Sequence, residues 1–186
     1  MTDQMQSEVK NKEAAIQQLN IGYNAEQDRL LLRIGLTDDS ELVVWLTYRV
    51  ARQIWQLFNT EVNLPTATSI KSDAPPTSAV EQFNKEVQSA ETLKKMDFET
   101  KYQPRSQKVM EDILLAKEIK FVGEQQKQLE ILCVGGVSVK LNFGNALILA
   151  LCNMLQMSAK KAAWDLGVAV ALPAVPAQAD ETKILH

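Results

Sequence analysis

Hydrophobic and polar positions change period several times along this chain, and each change marks an element. Leu19, Ile21 and Tyr23 alternate with Gln18, Asn20 and Gly22, the period of two that a half-buried strand imposes because successive side chains point to opposite faces. Asn24 to Asp28 supplies turn residues. Two further strand-like runs, Arg29 to Leu36 and Glu41 to Leu46, are separated by Thr37-Asp38-Asp39-Ser40, a hairpin signal. Both faces of this hairpin are apolar: Leu30, Leu32 and Ile34 oppose Leu31, while Leu42, Val44 and Leu46 oppose Val43 and Trp45. A sheet with two apolar faces needs two covers.

From Thr47 the period lengthens. Thr47 is placed to cap a helix from Tyr48 to about Asn59, with Val50, Ala51, Ile54, Leu57 and Phe58 in one stripe and Arg49, Arg52, Gln53 and Gln56 opposite. Residues 60–77 hold three prolines among Thr, Ser and Ala and read as a linker. Ser78 with Glu81 forms a capping box opening a second helix over about 78–97, whose Val80, Phe83, Val87 and Ala90 keep helical spacing. The first order of elements then returns. Ile113 to Val122, Leu129 to Val134 and Val137 to Phe143 read as strands, the last two joined by Gly135-Gly136, a two-residue hairpin turn. Asn145 is expected to cap a helix over about Ala146 to Asp165, stopped by Gly167.

These readings predict an α+β protein in which residues 14–59 and 113–165 are two pseudo-symmetric antiparallel βββα units, related by a pseudo-two-fold and bridged by the Ser78 helix. One domain is expected over residues 13–167, with a flexible leader at 1–12 and a flexible tail at 168–186. A three-stranded sheet with one helix cannot cover itself, so the two units, or two copies of the chain, are expected to share a core.

Composition narrows function mainly by exclusion. The chain has 186 residues, 46% hydrophobic and 23% charged, an ordinary globular balance. Its single histidine is His186, and its two cysteines, Cys133 and Cys152, stand far apart in apolar runs, so a His base, a His-rich metal site or a CxxC pair has no material here. No catalytic, cofactor-binding or metal-binding residues are assigned, and no cofactor is expected. The adjacent acids Asp38-Asp39 and Glu111-Asp112 have no partner placed beside them, and Gly135-Gly136 lacks the Lys-Ser/Thr of a phosphate loop. The N-terminus lacks the basic and apolar regions of a secretory signal. The most apolar run, Ala146 to Cys152, falls far short of the roughly 20 residues of a membrane span. A cytoplasmic protein with no membrane association is expected.

Arg29, Arg33, Trp45, Arg49, Arg52 and Trp55 mix basic and aromatic side chains within one half, the combination that stacks bases and tracks phosphates on single-stranded nucleic acid. The structural reading sets Trp45 and Trp55 in the core with the arginines along its rim. A formal charge of −3 and a pI near 5.3 disfavour nucleic acid, which is bound through clustered positive charge. The segments Asp28-Arg29-Leu30-Leu31-Leu32-Arg33, Trp45-Leu46-Thr47-Tyr48-Arg49, Asp97-Phe98-Glu99-Thr100-Lys101-Tyr102 and Ala163-Trp164 resemble a small family of uncharacterised proteobacterial proteins. That resemblance covers most of residues 15–165 and carries over no activity, cofactor or catalytic residue. The doubled strand–helix order is similar in outline to the Whirly and Pur single-strand-binding proteins, a likeness of topology without shared motifs. The expectation is therefore a non-enzymatic interaction protein that self-associates, as a homodimer for example, or binds another protein. The alternative is a single-stranded nucleic-acid-binding module using the six residues named.

Overall fold

The structure, a computed structural model, describes residues 15–62, 76–109, 111–122 and 128–167. The expected leader and tail, and most of the expected linker, lie outside the described residues. The alternating runs form strands β1 (Ile16–Asn24), β2 (Arg29–Leu36) and β3 (Ser40–Leu46), then β5 (Leu114–Val122), β6 (Gln128–Cys133) and β7 (Ser138–Asn142). A short strand β4 (Gln107–Lys108) was not expected. Three helices accompany them: α1 (Tyr48–Val62), α2 (Pro76–Lys94) and α3 (Asn145–Lys161).

The result is α+β, with one mixed sheet ordered β1-β2-β3-β5-β6-β7 and β4 attached to β3. Within β1–β3 and within β5–β7 all pairing is antiparallel, but β3 and β5 meet in parallel through Val44↔Leu114 and Trp45↔Leu115. A two-fold axis between two such meanders would set equivalent strands against each other, β3 against β7 or β1 against β5. The expected two-fold is therefore corrected: the last strand of one meander adjoins the first of the next, a tandem arrangement edge to edge.

Turn chemistry fixes the corners. Asn24 Oδ1 accepts the Gln27 N–H at 2.9 Å and Asp28 takes a φ of 46°, while Asp38 Oδ1 accepts the Ser40 N–H at 3.1 Å and Asp39 takes a φ of 62°; Asx turns and left-handed Asp are the local solutions these residues provide. At the β6–β7 corner the Gly136 N–H donates to the Cys133 carbonyl at 3.3 Å and the Cys133 N–H to the Val137 carbonyl at 2.8 Å, a three-residue loop over Val134–Gly136 in place of the expected two-residue turn, in which Gly135 and Gly136 supply φ of 90° and 82°.

Helices α1 and α3 lie on one face of the sheet and cross over between halves: α1 packs on β5 as well as on β2 and β3, α3 packs on β1, and the two helices touch. Row by row, Ile21, Leu32, Val44 and Leu114 face them, and all are buried, together with Val50, Ala51, Ile54, Trp55 and Phe58 of α1. Phe58 is fully buried and meets both Phe121, 5.4 Å between centroids at 27°, and Phe143 at 6.4 Å. A single hydrophobic cluster thus draws on both halves.

The helix ends follow expectation only in part. Thr47 does cap α1, weakly, its Oγ1 accepting the Val50 N–H at 3.4 Å. The N-cap of α3 is Gly144, with no side-chain cap, so Asn145 is the first helical residue. The stop of α3 comes before Gly167: Ala163 takes a φ of 55° and the Trp164 N–H donates to the Ala159 carbonyl at 2.9 Å, the six-to-one bond of a Schellman ending with alanine where glycine is usual. That ending throws Trp164 against Tyr23, 6.0 Å, and Tyr48, 5.4 Å between centroids. Finally, α2 is not a bridge. It begins at Pro76, a residue preorganised for a first helical turn, and packs on α3 near its own C-terminal end, where Leu93 is buried, while Val80, Phe83 and Val87 stay exposed. A helix buries what it has a neighbour to bury against, and the described element on which α2 chiefly packs is α3.

Candidate interaction surface

Since α1 and α3 share one face, no helix among the described residues lies over the opposite face of the sheet, although the alternation made it apolar too. Strand register gives its composition. Gly22, Leu31, Trp45 and Leu115 lie in one row across four strands, and the Val134 N–H donates to the Leu115 carbonyl at 2.9 Å, extending the row. Val134 is 58% exposed and Ile113, which alternation sets on the same face as Leu115, 43%; Leu31, Val43, Trp45, Leu115 and Leu132 are half-buried. A contiguous apolar band of this kind is uncommon on a soluble surface unless something covers it.

Charges flank the band. The row Asn20–Arg33–Val43 lies on one side, and on the other half Lys120, Glu130 and Lys140 are paired across three strands. Glu130, only 8% exposed, accepts a hydrogen bond from the Ser138 hydroxyl at 2.6 Å and an ion pair from Lys120 Nζ at 3.1 Å. The Ser138 hydroxyl, and then the Lys120 ammonium, hold its carboxyl below the ordinary value.

One end of this face is crossed by residues 97–106. Arg105 Nη2 donates to Gln17 Oε1 at 2.7 Å and its Nη1 lies 3.6 Å from Asp39 Oδ1. The Gln103 N–H reaches Gln18 Oε1 at 3.4 Å, and the Ser106 hydroxyl donates to Asp39 Oδ2 at 2.8 Å. The segment then enters the sheet as β4 beside Ser40 and Glu41. Gly35 makes the crossing fit: a Cβ there would stand 3.1 Å from Arg105 Nε and 3.4 Å from the Tyr102 hydroxyl. Burial pushes the Tyr102 phenol up, and the Glu41 carboxylate adds to it, outweighing Arg33 and Arg105. Carboxylate and phenol are near enough to feel each other without alignment into a hydrogen bond, since Glu41 Oε1, the Tyr102 hydroxyl and Arg105 Nε are all buried without one. A strand glycine often marks such a close approach, and Gly35 between Ile34 and Leu36 was the sequence signal for it.

The six sequence-derived candidates separate. Arg29, Arg33 and Trp45 share the uncovered face by alternation and register. Arg49 and Arg52 are exposed on α1, whose buried side faces the sheet, so they belong to the far side of the molecule. Trp55, at 2% exposure, is in the core. Leu115, Ile113 and Val134 come to Trp45 only through the β3–β5 junction. Both thiols are buried and free, and burial pushes Cys133 up to about 11 and Cys152 up to about 12. Among the described residues no three His, Cys, Asp or Glu side chains gather as metal ligands, and no helix is long and apolar enough to cross a membrane. No family model, no curated protein and no solved structure matches the chain.

Proposed function

We propose that this chain is a non-enzymatic interaction protein that self-associates, two copies stacking their uncovered sheet faces. The observation that carries the reading is the apolar band Leu31–Trp45–Leu115–Val134, which no described helix covers. Its size supports a second copy as occupant. Six strands at about 4.8 Å spacing, with about five usable residues at about 3.3 Å each, make a face of about 480 Å². Two such faces hide about 1,000 Å² together, the lower bound for a specific interface. Face-to-face packing at about 10 Å also suits a twisted sheet. The tandem order of the two meanders, each ending in a helix, further supports a repeated βββα module over 14–59 and 113–165, the repeat having broadened one sheet.

A second reading, single-stranded nucleic-acid binding, is supported by one observation: Arg29, Arg33 and Trp45 share the face, so a base could stack where the phosphates meet guanidinium. Light scattering across a concentration series tests the first. A dimer at micromolar protein, returned to monomer by Val134→Glu, is the expected result, since that exposed position tolerates charge in the monomer. A monomer at every concentration overturns the self-association. Fluorescence anisotropy with a labelled mixed-sequence oligonucleotide at low salt tests the second, and saturable binding lost in Arg33→Glu would transfer the face to nucleic acid.

A further inference from the structure

A different part of the molecule holds a groove bounded by α3, edge strand β1 and the first residues of the crossing segment. Two adjoining cavities of about 210 and 300 Å³ share Leu19, Asp97, Phe98, Thr100, Tyr102 and Met154 as walls. This is the small end of the range for ligand pockets. Towards the start of α3 the wall is apolar, with Leu147 and Ala150. Towards its end come Asn153, Met157, Ser158 and Lys161.

The polar groups at that end differ in what they have left to give. The Ser158 hydroxyl is committed to the Ile21 carbonyl at 3.1 Å. Asp97, the one acid among these lining residues, has both carboxylate oxygens engaged by the Thr100 hydroxyl and the N–H groups of Glu99 and Thr100. Asn153 is 3% exposed, yet the partner its amide nitrogen reaches is the Met157 sulfur at 3.9 Å, a weak acceptor for a strong donor. A buried amide in a helix interior opposes both helix propensity and burial cost unless it serves something. Lys161 is exposed at the same end and lines the same cavity as Asn153, about two turns earlier on α3, within the direction in which long helical side chains lean.

We infer that this groove binds a small amphipathic carboxylic acid, its carboxylate meeting the Asn153 amide and the Lys161 ammonium and its hydrocarbon running along Leu19, Phe98 and Met154 towards Leu147. Charge complementarity selects the class. The lining side chains at the polar end include two donors, the Lys161 ammonium and the Asn153 amide, the single acid is already bonded within its own turn, and the wall towards the start of α3 carries Leu147 and Ala150. The flexible thioethers of Met154 and Met157 suit a plain alkyl chain, because they repack around it without strain.

Octanoate, octylammonium and octanol distinguish head group from tail. With the whole chain, calorimetry is expected to show octanoate bound, octanol bound about a hundredfold more weakly and octylammonium not at all, a tenfold loss being what each of the two charge-assisted hydrogen bonds is worth. Octanoate should move the methyl NMR signals of Met154 and Met157, assigned by Met→Leu substitution. Lys161→Gln, at an exposed site that leaves the fold intact, and Asn153→Leu should each weaken octanoate about tenfold while leaving octanol unchanged. Equal binding of all three compounds, unmoved methionine signals, or octanoate affinity indifferent to both substitutions overturns the site. None of these readouts depends on the oligomeric state.

Discussion

Phe58→Ala tests the claim that the two halves form one core. The ring is fully buried on α1 and is shared between Phe121 of β5, 5.4 Å away, and Phe143 just before α3, 6.4 Å away. Truncation withdraws roughly 110 Å² of apolar contact, about 3 kcal/mol at 25 cal/mol per Å². Losing two aromatic pairs adds about 1 kcal/mol, with Phe121, half-buried, relaxing into part of the space. The expected cost is about 4 kcal/mol, within the usual span for such truncations and a large share of the roughly 5–15 kcal/mol that holds a domain together. Urea unfolding followed by circular dichroism measures it. A single transition should persist in the wild type and shift as a whole, because α1 rests on the strands of the second half and α3 on those of the first. A double-mutant cycle with Phe121→Leu should show a coupling of about 1 kcal/mol across the halves. A cost under about 2 kcal/mol, no coupling, or two separate transitions would refute the shared core.

Further outcomes follow from single features. Ala163 holds a φ of 55°, a left-handed conformation costing an L-residue about 1–2 kcal/mol, against which glycine's extra unfolded-state freedom costs about 0.5–1 kcal/mol. Ala163→Gly should therefore stabilise by about 0.5 kcal/mol, a rise in Tm of about 1–2 °C by calorimetry, and a lower Tm would contradict the Schellman ending. The buried thiols give a pH dependence of definite sign. Their native values, about 11 for Cys133 and about 12 for Cys152, lie above the ordinary 9.0, so their contribution is intact below pH 9 and is lost as pH rises towards 11 and 12, at about 1.4 kcal/mol per pH unit for each thiol. Urea midpoints measured upward from pH 8 should fall more steeply for the wild type than for Cys133→Ala/Cys152→Ala; equal slopes would deny the burial.

Local structure was largely legible because the code for it is local. Alternation in Leu19–Tyr23, the glycine pair at 135–136 and the stripe Val50, Ile54, Phe58 each act within a few residues, and the strands, the turn and α1 stand where those signals are. Helix ends were less legible: an alanine in left-handed geometry carries no composition signal, whereas Gly167 did and misled. The two-fold failed for a related reason. A parallel junction of two residue pairs between β3 and β5 leaves no period to read, and either edge of a meander is open to pairing in principle. The short strand β4 is held through Glu41, whose carbonyl accepts the Val109 N–H at 2.8 Å, a backbone contact to which side-chain pattern is blind.

The site shows the same division. That Leu31, Val43 and Trp45 form a second apolar face follows from alternation alone; that the face is left uncovered does not, because it depends on α1 and α3 taking the same side. They do so by crossing over, α1 packing on β5 as well as on β2 and β3 and α3 packing on β1, with the two helices in contact. One exchange of partners thus buries Trp55, isolates Arg49 and Arg52 on the far surface, and leaves Trp45 with Arg33 on the bare sheet. Clustering of six basic and aromatic residues in sequence carried no information about this division, since α1 places its arginines on the side away from the strands. The exposure of the apolar band and the cooperativity of the core have one origin, the sharing of helices between two meanders, and a substitution that uncouples the halves should weaken the core and the proposed self-association together.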